Sequence, residues 1–137
     1  MDPLSITASI AALLHLSGAV VQYLNEVKSA SSDRQKILDE VVTLSGLLYH
    51  LRSLVERNQQ TGEWLETMSS LSVPNGPLDR LGGSLGFLST KLAPQKGLKK
   101  VGKAISWPFQ GREVKEVLEA MERQKVIIGL AMQNDHM

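Results

Sequence analysis

The chain carries no charged side chain between Leu4 and Asn25, and this uncharged stretch lies at the N-terminal end. At about 1.5 Å of rise per residue, an α-helix of this length measures roughly 30 Å, close to the thickness of the hydrocarbon core of a bilayer. A helix of the same composition also suits the interior of a helical protein. The fold must therefore bury this stretch against other helices or place it in lipid.

The uncharged stretch is neither a clear secretory signal nor a clear resident transmembrane helix. No lysine or arginine precedes it, and resident transmembrane helices are usually richer in Leu, Ile, Val and Phe and have basic residues on their flanks. Polar side chains also interrupt it at Ser5, Thr7, Ser9, His15, Ser17 and Gln22. Asp2 and Pro3 instead have the pattern of an N-cap and a first helical residue. We therefore expect a folded helix that starts at Pro3.

Composition indicates one helical domain. The chain has 137 residues, 42% hydrophobic content and a formal net charge of +1, which suits a single compact domain over residues 1–137. It has no cysteine and only 4% aromatic residues, and alternating strand patterns are missing. We predict an all-α fold, an antiparallel helical bundle of four to five helices with a long apolar N-terminal helix. Because no cap follows the last helix, we also expect the chain to be part of a longer polypeptide.

Three further segments repeat apolar residues in steps of three and four, the spacing of one helix face. Their members are Ile37, Val41, Leu44, Leu48, Leu51 and Val55; Leu78, Leu81, Leu85, Leu88 and Leu92; and Val114, Val117, Leu118, Met121, Ile128 and Met132. A short helix is expected over Trp64–Leu71, and a turn over Val73–Pro77. Helices with one apolar stripe each bury those stripes against one another, as in a bundle.

Two local patterns refine this prediction. Ser32 and Gln35 have the spacing of a capping box at the start of the second helix. Gly82, Gly83 and Gly86 lie inside the fourth helix, where each costs about 1 kcal/mol relative to alanine. We expect these glycines to permit the close approach of a neighbouring helix, and local unwinding of the segment is the alternative.

Every charged residue between positions 91 and 112 is basic: Lys91, Lys96, Lys99, Lys100, Lys103 and Arg112. Apolar residues such as Leu98, Val101 and Ile105 alternate with them, so a helix here would have a basic and an apolar side. Each lysine or arginine gains about 1 kcal/mol near an anionic leaflet. We predict that these six residues bind lipid head groups, and a solvated basic connector is the alternative.

The sequence has no pattern for catalysis, cofactor binding or nucleic-acid recognition. His15, His50 and His136 lie on separate segments without metal-pair spacing, and no serine lies in a nucleophile elbow. The Gly97–Ala104 segment lacks the hydroxyl residue and the preceding strand of a phosphate-binding loop. Charge is nearly balanced, and no aromatic stacking platform is present. We expect no enzymatic activity, no catalytic residue, no metal, no cofactor and no nucleic-acid partner.

The opening residues Met1–Ser5 with their apolar continuation, and Trp107–Phe109 ahead of a Glu-rich helix, carry a family resemblance. In these motifs the chain resembles the HeLo-like N-terminal domain of fungal STAND proteins, which are NOD-like receptors. The resemblance covers essentially the whole chain. It implies a helical bundle at the N-terminus of an innate-immunity receptor, followed by a nucleotide-binding module, that executes programmed cell death by permeabilising membranes.

The resemblance also implies that several copies cluster on activation and release the first helix into a pore-forming assembly. The residues expected to enter the membrane are Leu4, Ile6, Ile10, Leu13, Leu14, Leu16, Val20, Val21 and Leu24, with Asp2 at the tip or in the pore. Anionic membrane lipids and further copies of the chain are the expected partners. The expected location is the cytoplasm at rest and the cell membrane on activation. A soluble adaptor bundle, whose first helix stays in the core, is the alternative function.

Overall fold

The computed structural model describes residues 3–27, 31–57, 62–93 and 107–134, and within them the side chains of 6–27, 31–57, 66–93 and 107–133. These ranges contain five helices: α1 (Pro3–Glu26), α2 (Ser32–Arg57), α3 (Gly62–Leu71), α4 (Pro77–Leu92) and α5 (Gly111–Asn134). No β-strand occurs in the same ranges. The predicted all-α fold with a long apolar first helix is confirmed.

The four long helices form a closed square. α1 packs against α2 and α4, and α5 packs against the same two helices, so α1 and α5 lie at opposite corners. Neighbouring helices run antiparallel, as two contacts show. Arg34, near the start of α2, contacts Leu24, near the end of α1. In the same way, Lys91 at the end of α4 meets Glu113 at the start of α5. The short α3 touches α1 and α5.

The predicted apolar stripes meet in the centre of the square. Every stripe member on α2 and α4 is buried, and on α5 all are buried except Leu118, which is half-buried. Each fully buried aliphatic side chain contributes about 1.5–3 kcal/mol relative to an exposed one. The spacing of apolar residues therefore predicted the core correctly.

A cluster of charges joins α2 to α5 at the edge of this core. The Nζ atom of Lys125 lies 2.9 Å from Oε1 of Glu40 and 2.7 Å from Oε2 of Glu122. The contact with Glu40 is a close charge pair without hydrogen-bond alignment. Partial burial opposes the charged form of Lys125, but the two carboxylates outweigh it and raise the pKa of Lys125 above its usual value. The ammonium group therefore stays charged at neutral pH.

The predicted turn before α4 is confirmed, and its sequence explains its geometry. The N–H of Gly76 donates to the carbonyl oxygen of Val73 at 2.8 Å, which closes a four-residue turn. Pro74 takes the second position, and Asn75 takes the third with φ of 62°. Proline followed by a positive-φ residue is typical of a type II turn. Gly76 then caps α4, whose first residue is Pro77.

The predicted capping box at the start of α2 is wrong by one residue. The side-chain oxygen of Ser31, not that of Ser32, accepts the backbone N–H of Arg34 at 3.1 Å. Gln35 lies beyond the position that reaches back to the cap, and its amide donates to Oδ1 of Asp39 at 2.8 Å. Two consecutive serines give two adjacent cap candidates, and the structure uses Ser31 because α2 begins at Ser32.

The predicted reason for the glycines in α4 is also wrong. A Cβ atom added at Gly83 or Gly86 would meet nothing within 4 Å, so no helix approaches there. At Gly82 an added Cβ would lie 3.6 Å from Cδ2 of Leu13, an ordinary contact. Close helix packing therefore does not require these glycines.

Two glycine substitutions should change stability in opposite directions. Gly83→Ala should raise the free energy of unfolding by about 1 kcal/mol, because alanine loses less backbone entropy in a helix and its methyl group meets no atom. Gly76→Ala should lower it, because the new Cβ would lie 2.8 Å from the backbone oxygen of Val73. Denaturant unfolding followed by circular dichroism measures both. A destabilised Gly83→Ala variant would contradict the open space at this position.

Candidate functional site

The first helix is held by one face. The side chains of α1 that contact the rest of the bundle are buried at Ile6, Ile10, Leu13, Ser17, Val20 and Leu24, and half-buried at Leu14, Leu16 and Val21. Every predicted membrane-inserting residue with a described side chain therefore lies on or beside the packed face. Asp2 and the side chain of Leu4 lie outside the described residues.

The opposite face of α1 is exposed and lacks large apolar side chains. It carries Ala8, Ala11, His15, Gly18, Gln22 and Asn25, and Ala12 lies at its border with the crevice next to α4. Small side chains allow the backbone of a second helix to approach closely. The exposed face is therefore suited to contact with another helix, whereas the packed face is suited to an apolar environment.

By length and composition alone, α1 is also able to cross a membrane over Ile6–Glu26, and no other described helix passes this test. The core helix of a soluble protein can pass it too, but such a helix is mostly buried. In the most apolar part of α1 only 33% of the residues are buried inside the protein. α1 is therefore an edge helix with unusual apolar length.

Ser17 is the buried polar residue on the packed face. Its Oγ donates to the carbonyl oxygen of Leu13, one turn earlier in the same helix, at 2.8 Å. A hydroxyl that bonds within its own helix keeps its partner in any surroundings. Ser17 therefore does not tie α1 to the bundle, and it would remain satisfied in lipid.

The C-terminal end of α1 has a specific polar attachment. Nη1 of Arg34 on α2 donates to the carbonyl oxygen of Leu24 at 3.3 Å. A positive charge at the C-terminus of a helix also interacts favourably with the helix dipole. The Nε atom of Arg34 is buried without a partner among the described residues. α1 is thus anchored near its C-terminal end, next to the connection to α2.

The two described members of the predicted lipid-binding set are already paired with carboxylates. Nζ of Lys91 lies 2.6 Å from Oε2 of Glu113, and Nε of Arg112 lies 3.0 Å from Oε1 of Glu116. These pairs compensate two of the six positive charges locally. The other predicted members, Lys96, Lys99, Lys100 and Lys103, lie outside the described residues.

Lys91 is also part of an aromatic cluster between α4 and α5. Its ammonium group lies 5.4 Å from the ring centre of Phe87 and 5.7 Å from that of Phe109, within cation–π range. The ring centres of Phe87 and Phe109 are 5.8 Å apart, and Trp107 stacks edge-on against Phe109 at 5.0 Å. This aromatic clamp (Phe87, Lys91, Trp107, Phe109 and Glu113) holds the residues before α5 against the end of α4.

Glu113 joins the aromatic clamp to the start of α5. Its Oε1 accepts the backbone N–H of Gln110 at 2.9 Å, while Oε2 accepts the ammonium group of Lys91. The hydrogen bond from Gln110, followed by that from Lys91, holds the pKa of Glu113 below its usual value. A carboxylate at this position also complements the N-terminal end of the helix dipole.

An open groove of about 580 Å³ between α4 and α5 was not predicted. Arg80, Phe87, Arg123 and Gln124 line part of it. Gln124 is only 3% exposed, so this groove has a buried polar side chain in its wall. The α5 stripe signals its burial, because position 124 lies three residues after Met121 and four before Ile128.

Neither a metal-binding cluster in the described residues nor a similar known protein indicates a function for this chain. Within the described ranges, no three His, Cys, Asp or Glu side chains lie close enough together to hold a metal ion. No protein-family model, no curated protein and no solved structure matches the chain. The geometry of α1 and its neighbours therefore carries the functional argument.

Glu113→Gln should reduce stability in a pH-dependent way. Because folding lowers the pKa of Glu113, its ionised form stabilises the protein fully above the usual value of 4.5. This contribution is lost as the pH falls through the lowered pKa. The difference in free energy of unfolding between wild type and Glu113→Gln should therefore be largest near pH 7 and shrink towards pH 3, as measured by denaturant unfolding.

Glu116→Gln is the matched control, because its pair with Arg112 has side chains that are 64% and 86% exposed. Exposed ion pairs of this kind contribute little to stability. Its effect should be small at both pH values. A difference for Glu113→Gln that does not change with pH would contradict the role given to its carboxylate.

Proposed function

We propose that this chain is the N-terminal effector domain of an intracellular innate-immunity-type receptor that executes regulated cell death. It acts by oligomerising and inserting α1 into a membrane, without covalent chemistry or a cofactor. The observation that carries the proposal is that α1, the described helix able to span a membrane, is held by one face only. The HeLo-like resemblance of the opening residues and of Trp107–Phe109 supports it.

The free energy of moving α1 depends on its surroundings. Its packed face holds aliphatic side chains that each gain about 1.5–3 kcal/mol when they leave water. Exposing this face to solvent would therefore be costly. Lipid tails are as apolar as the protein interior, so insertion keeps this gain for α1. The stripes of α2 and α4 that α1 covers lose their cover at the same time and must be buried by lipid or by other copies. Release of α1 is therefore favourable only where a membrane or other copies receive it.

Clustering brings the α1 helices of several copies together, so each α1 has other α1 helices to pack against. When copies meet, the faces of α1 that carry Ala8, Ala12 and Gly18 pack against one another at short distance. Polar side chains such as Gln22 then face the interior of the assembly, and the packed face turns to lipid. The bond between Arg34 and Leu24 lies at the C-terminal end of α1, so we expect separation to start at the opposite end of the helix, with Asp2 at the tip.

The surrounding partners follow from the same proposal. A nucleotide-binding module in the same polypeptide drives clustering, and the protein moves from the cytoplasm to the cell membrane on activation. Lys96, Lys99, Lys100 and Lys103 bind anionic head groups. Lys91 and Arg112 join them only by exchanging their carboxylate partners for lipid phosphates.

A soluble adaptor remains a second candidate, and a specific observation favours it. Val126, Ile127 and Leu130 on α5 are 50%, 41% and 55% exposed, and release of α1 does not use them. In an adaptor, this surface recruits another protein and α1 stays in the core. Clustered protein that fails to float with liposomes would favour the adaptor over the effector.

A covalent link between α1 and α4 should prevent membrane permeabilisation. The chain has no cysteine, so Leu13→Cys with Gly82→Cys introduces a single reactive pair, where Cδ2 of Leu13 lies 3.6 Å from the Cβ position of Gly82. Joined by a short bismaleimide and clustered through a fused tetrameriser, this variant should release no dye from anionic liposomes. The same variant without the linker should release it.

The control link joins α4 to α5 and leaves α1 free. Lys91→Cys with Glu113→Cys places the pair where the wild-type side chains meet at 2.6 Å. This linked variant should still permeabilise liposomes. Equal leakage from both linked variants would show that α1 does not leave the bundle, and circular dichroism checks that each variant is folded.

Binding to anionic vesicles should depend on Lys96, Lys99, Lys100 and Lys103 of the basic segment. Replacing Lys96, Lys99, Lys100 and Lys103 by glutamine removes about 1 kcal/mol of attraction per residue, so vesicle binding should fall by about a hundredfold or more. Replacing Lys36, Arg52, Arg57 and Lys115 by glutamine removes the same charge elsewhere. Equal losses in a vesicle co-sedimentation assay would contradict a specific role for the basic segment.

A further inference from the structure

The outward face of α5 carries apolar and charged residues in a definite order. We name this surface the α5 ridge, and its residues are Arg112, Glu116, Glu119, Arg123, Ile127 and Leu130. All six are exposed. They follow one another at steps of three and four, so they lie along one side of the helix. The ridge stands between the groove against α4 and the groove against α2.

The charges of the ridge are complementary to those of a second, reversed copy. Glu116 and Arg123 are seven residues apart, which places them two turns apart on the same side. We place two α5 helices antiparallel, with the two-fold axis between positions 119 and 120. In this register residue n of one copy faces residue 239 − n of the other, so position 116 faces position 123. Glu116 of each copy then faces Arg123 of the other, and the pair forms twice.

The same register covers the apolar end of the ridge. Position 130 faces position 109, so Leu130 meets the aromatic clamp, where Phe87 is 37% exposed. Ile127 faces Arg112, whose aliphatic stem can cover it. Three of the large exposed hydrophobic residues, Ile127, Leu130 and Phe87, would leave water together. One alignment therefore pairs Glu116 with Arg123 twice and covers both apolar ends. The two Glu119 carboxylates lie near each other at the axis, and each is one turn from Arg123 of the other copy.

The charged side chains at the centre are free to make these contacts. Arg123 has no carboxylate within 4.0 Å in the part of the chain that the structure describes, although it borders both grooves. Glu116 is paired only with Arg112, in a highly exposed pair that contributes little. The free energy lost when Glu116 leaves Arg112 to pair with Arg123 of a second copy is therefore small.

We propose that two copies of this chain associate through an antiparallel contact of their α5 ridges. The contact is isologous, so a two-fold axis passes between positions 119 and 120. Along α5 it spans Arg112 to Leu130, a length of about 27 Å. The proposal does not rest on membrane insertion, because α1 lies at the corner of the bundle opposite α5.

Charge reversal tests the contact and its register together. Wild type should dimerise reversibly in sedimentation equilibrium. Glu116→Arg should raise the dissociation constant by about tenfold or more, because it places like charges together twice, and Arg123→Glu should do the same. The double variant should restore wild-type dimerisation. An equimolar mixture of the two single variants should form a heterodimer, since all four facing charges are then opposite.

Thiol crosslinking tests the antiparallel direction. Glu119→Cys lies beside the two-fold axis and should crosslink to its own copy on oxidation. Lys115→Cys faces position 124, about 13 Å along the helix from its own copy, and should not crosslink. A parallel contact would crosslink both variants. The absence of cysteine from the natural chain makes this comparison direct.

Several outcomes would overturn the proposal. These are a wild-type protein that stays monomeric, single reversals that leave dimerisation unchanged, and a double reversal that fails to restore it. Glu56→Arg, an exposed reversal on α2, is the control and should leave the dissociation constant unchanged. If Ile127→Ser with Leu130→Ser weakens vesicle binding in a monomeric protein, lipid covers the ridge and a second copy does not.

Discussion

The bundle depends on the contact between the packed face of α1 and the stripes of α2 and α4. This contact consists of aliphatic side chains, and its members on α1, such as Ile10 and Leu24, are fully buried. No ion pair joins α1 to another helix in the described part of the chain. The hydrophobic effect that holds α1 is non-directional, so any apolar environment of sufficient size can replace the partner helices. That property makes a single segment compatible with both the protein interior and lipid.

The other three long helices are joined differently. Lys125 bridges α5 to Glu40 on α2, and the aromatic clamp with the pair of Lys91 and Glu113 joins α5 to α4. These contacts require particular partners at particular distances, and lipid cannot supply them. α2, α4 and α5 are therefore suited to remain together when α1 leaves. The division of the fold into one exchangeable helix and three specifically paired helices is what supports the proposed release of α1.

Charge in this protein cannot be assessed from a window of sequence. By a local count the basic segment carries six uncompensated positive charges, because no acidic residue occurs between Lys91 and Arg112. The fold brings Glu113 back to Lys91 across 22 positions, and Glu116 lies one turn after Arg112. Glu113 and Glu116 lie just beyond the basic segment, so a count of charges within the segment leaves them out. The opposite case is Arg123, which has no carboxylate within 4.0 Å among the described residues although Glu119 lies one turn before it.

The sequence by itself determined the helices, their apolar stripes and the turn of Pro74 and Asn75, because periodicity and turn chemistry act between near neighbours. It also identified α1 as the segment that any functional account must explain. Only the tertiary structure decided which face of α1 is covered, which of Ser31 and Ser32 caps α2, and that Gly83 and Gly86 meet no helix. Only the tertiary structure revealed the groove between α4 and α5 that Gln124 lines. These outcomes depend on residues distant in the chain, whose relative positions are set by packing of the whole bundle and not by local spacing.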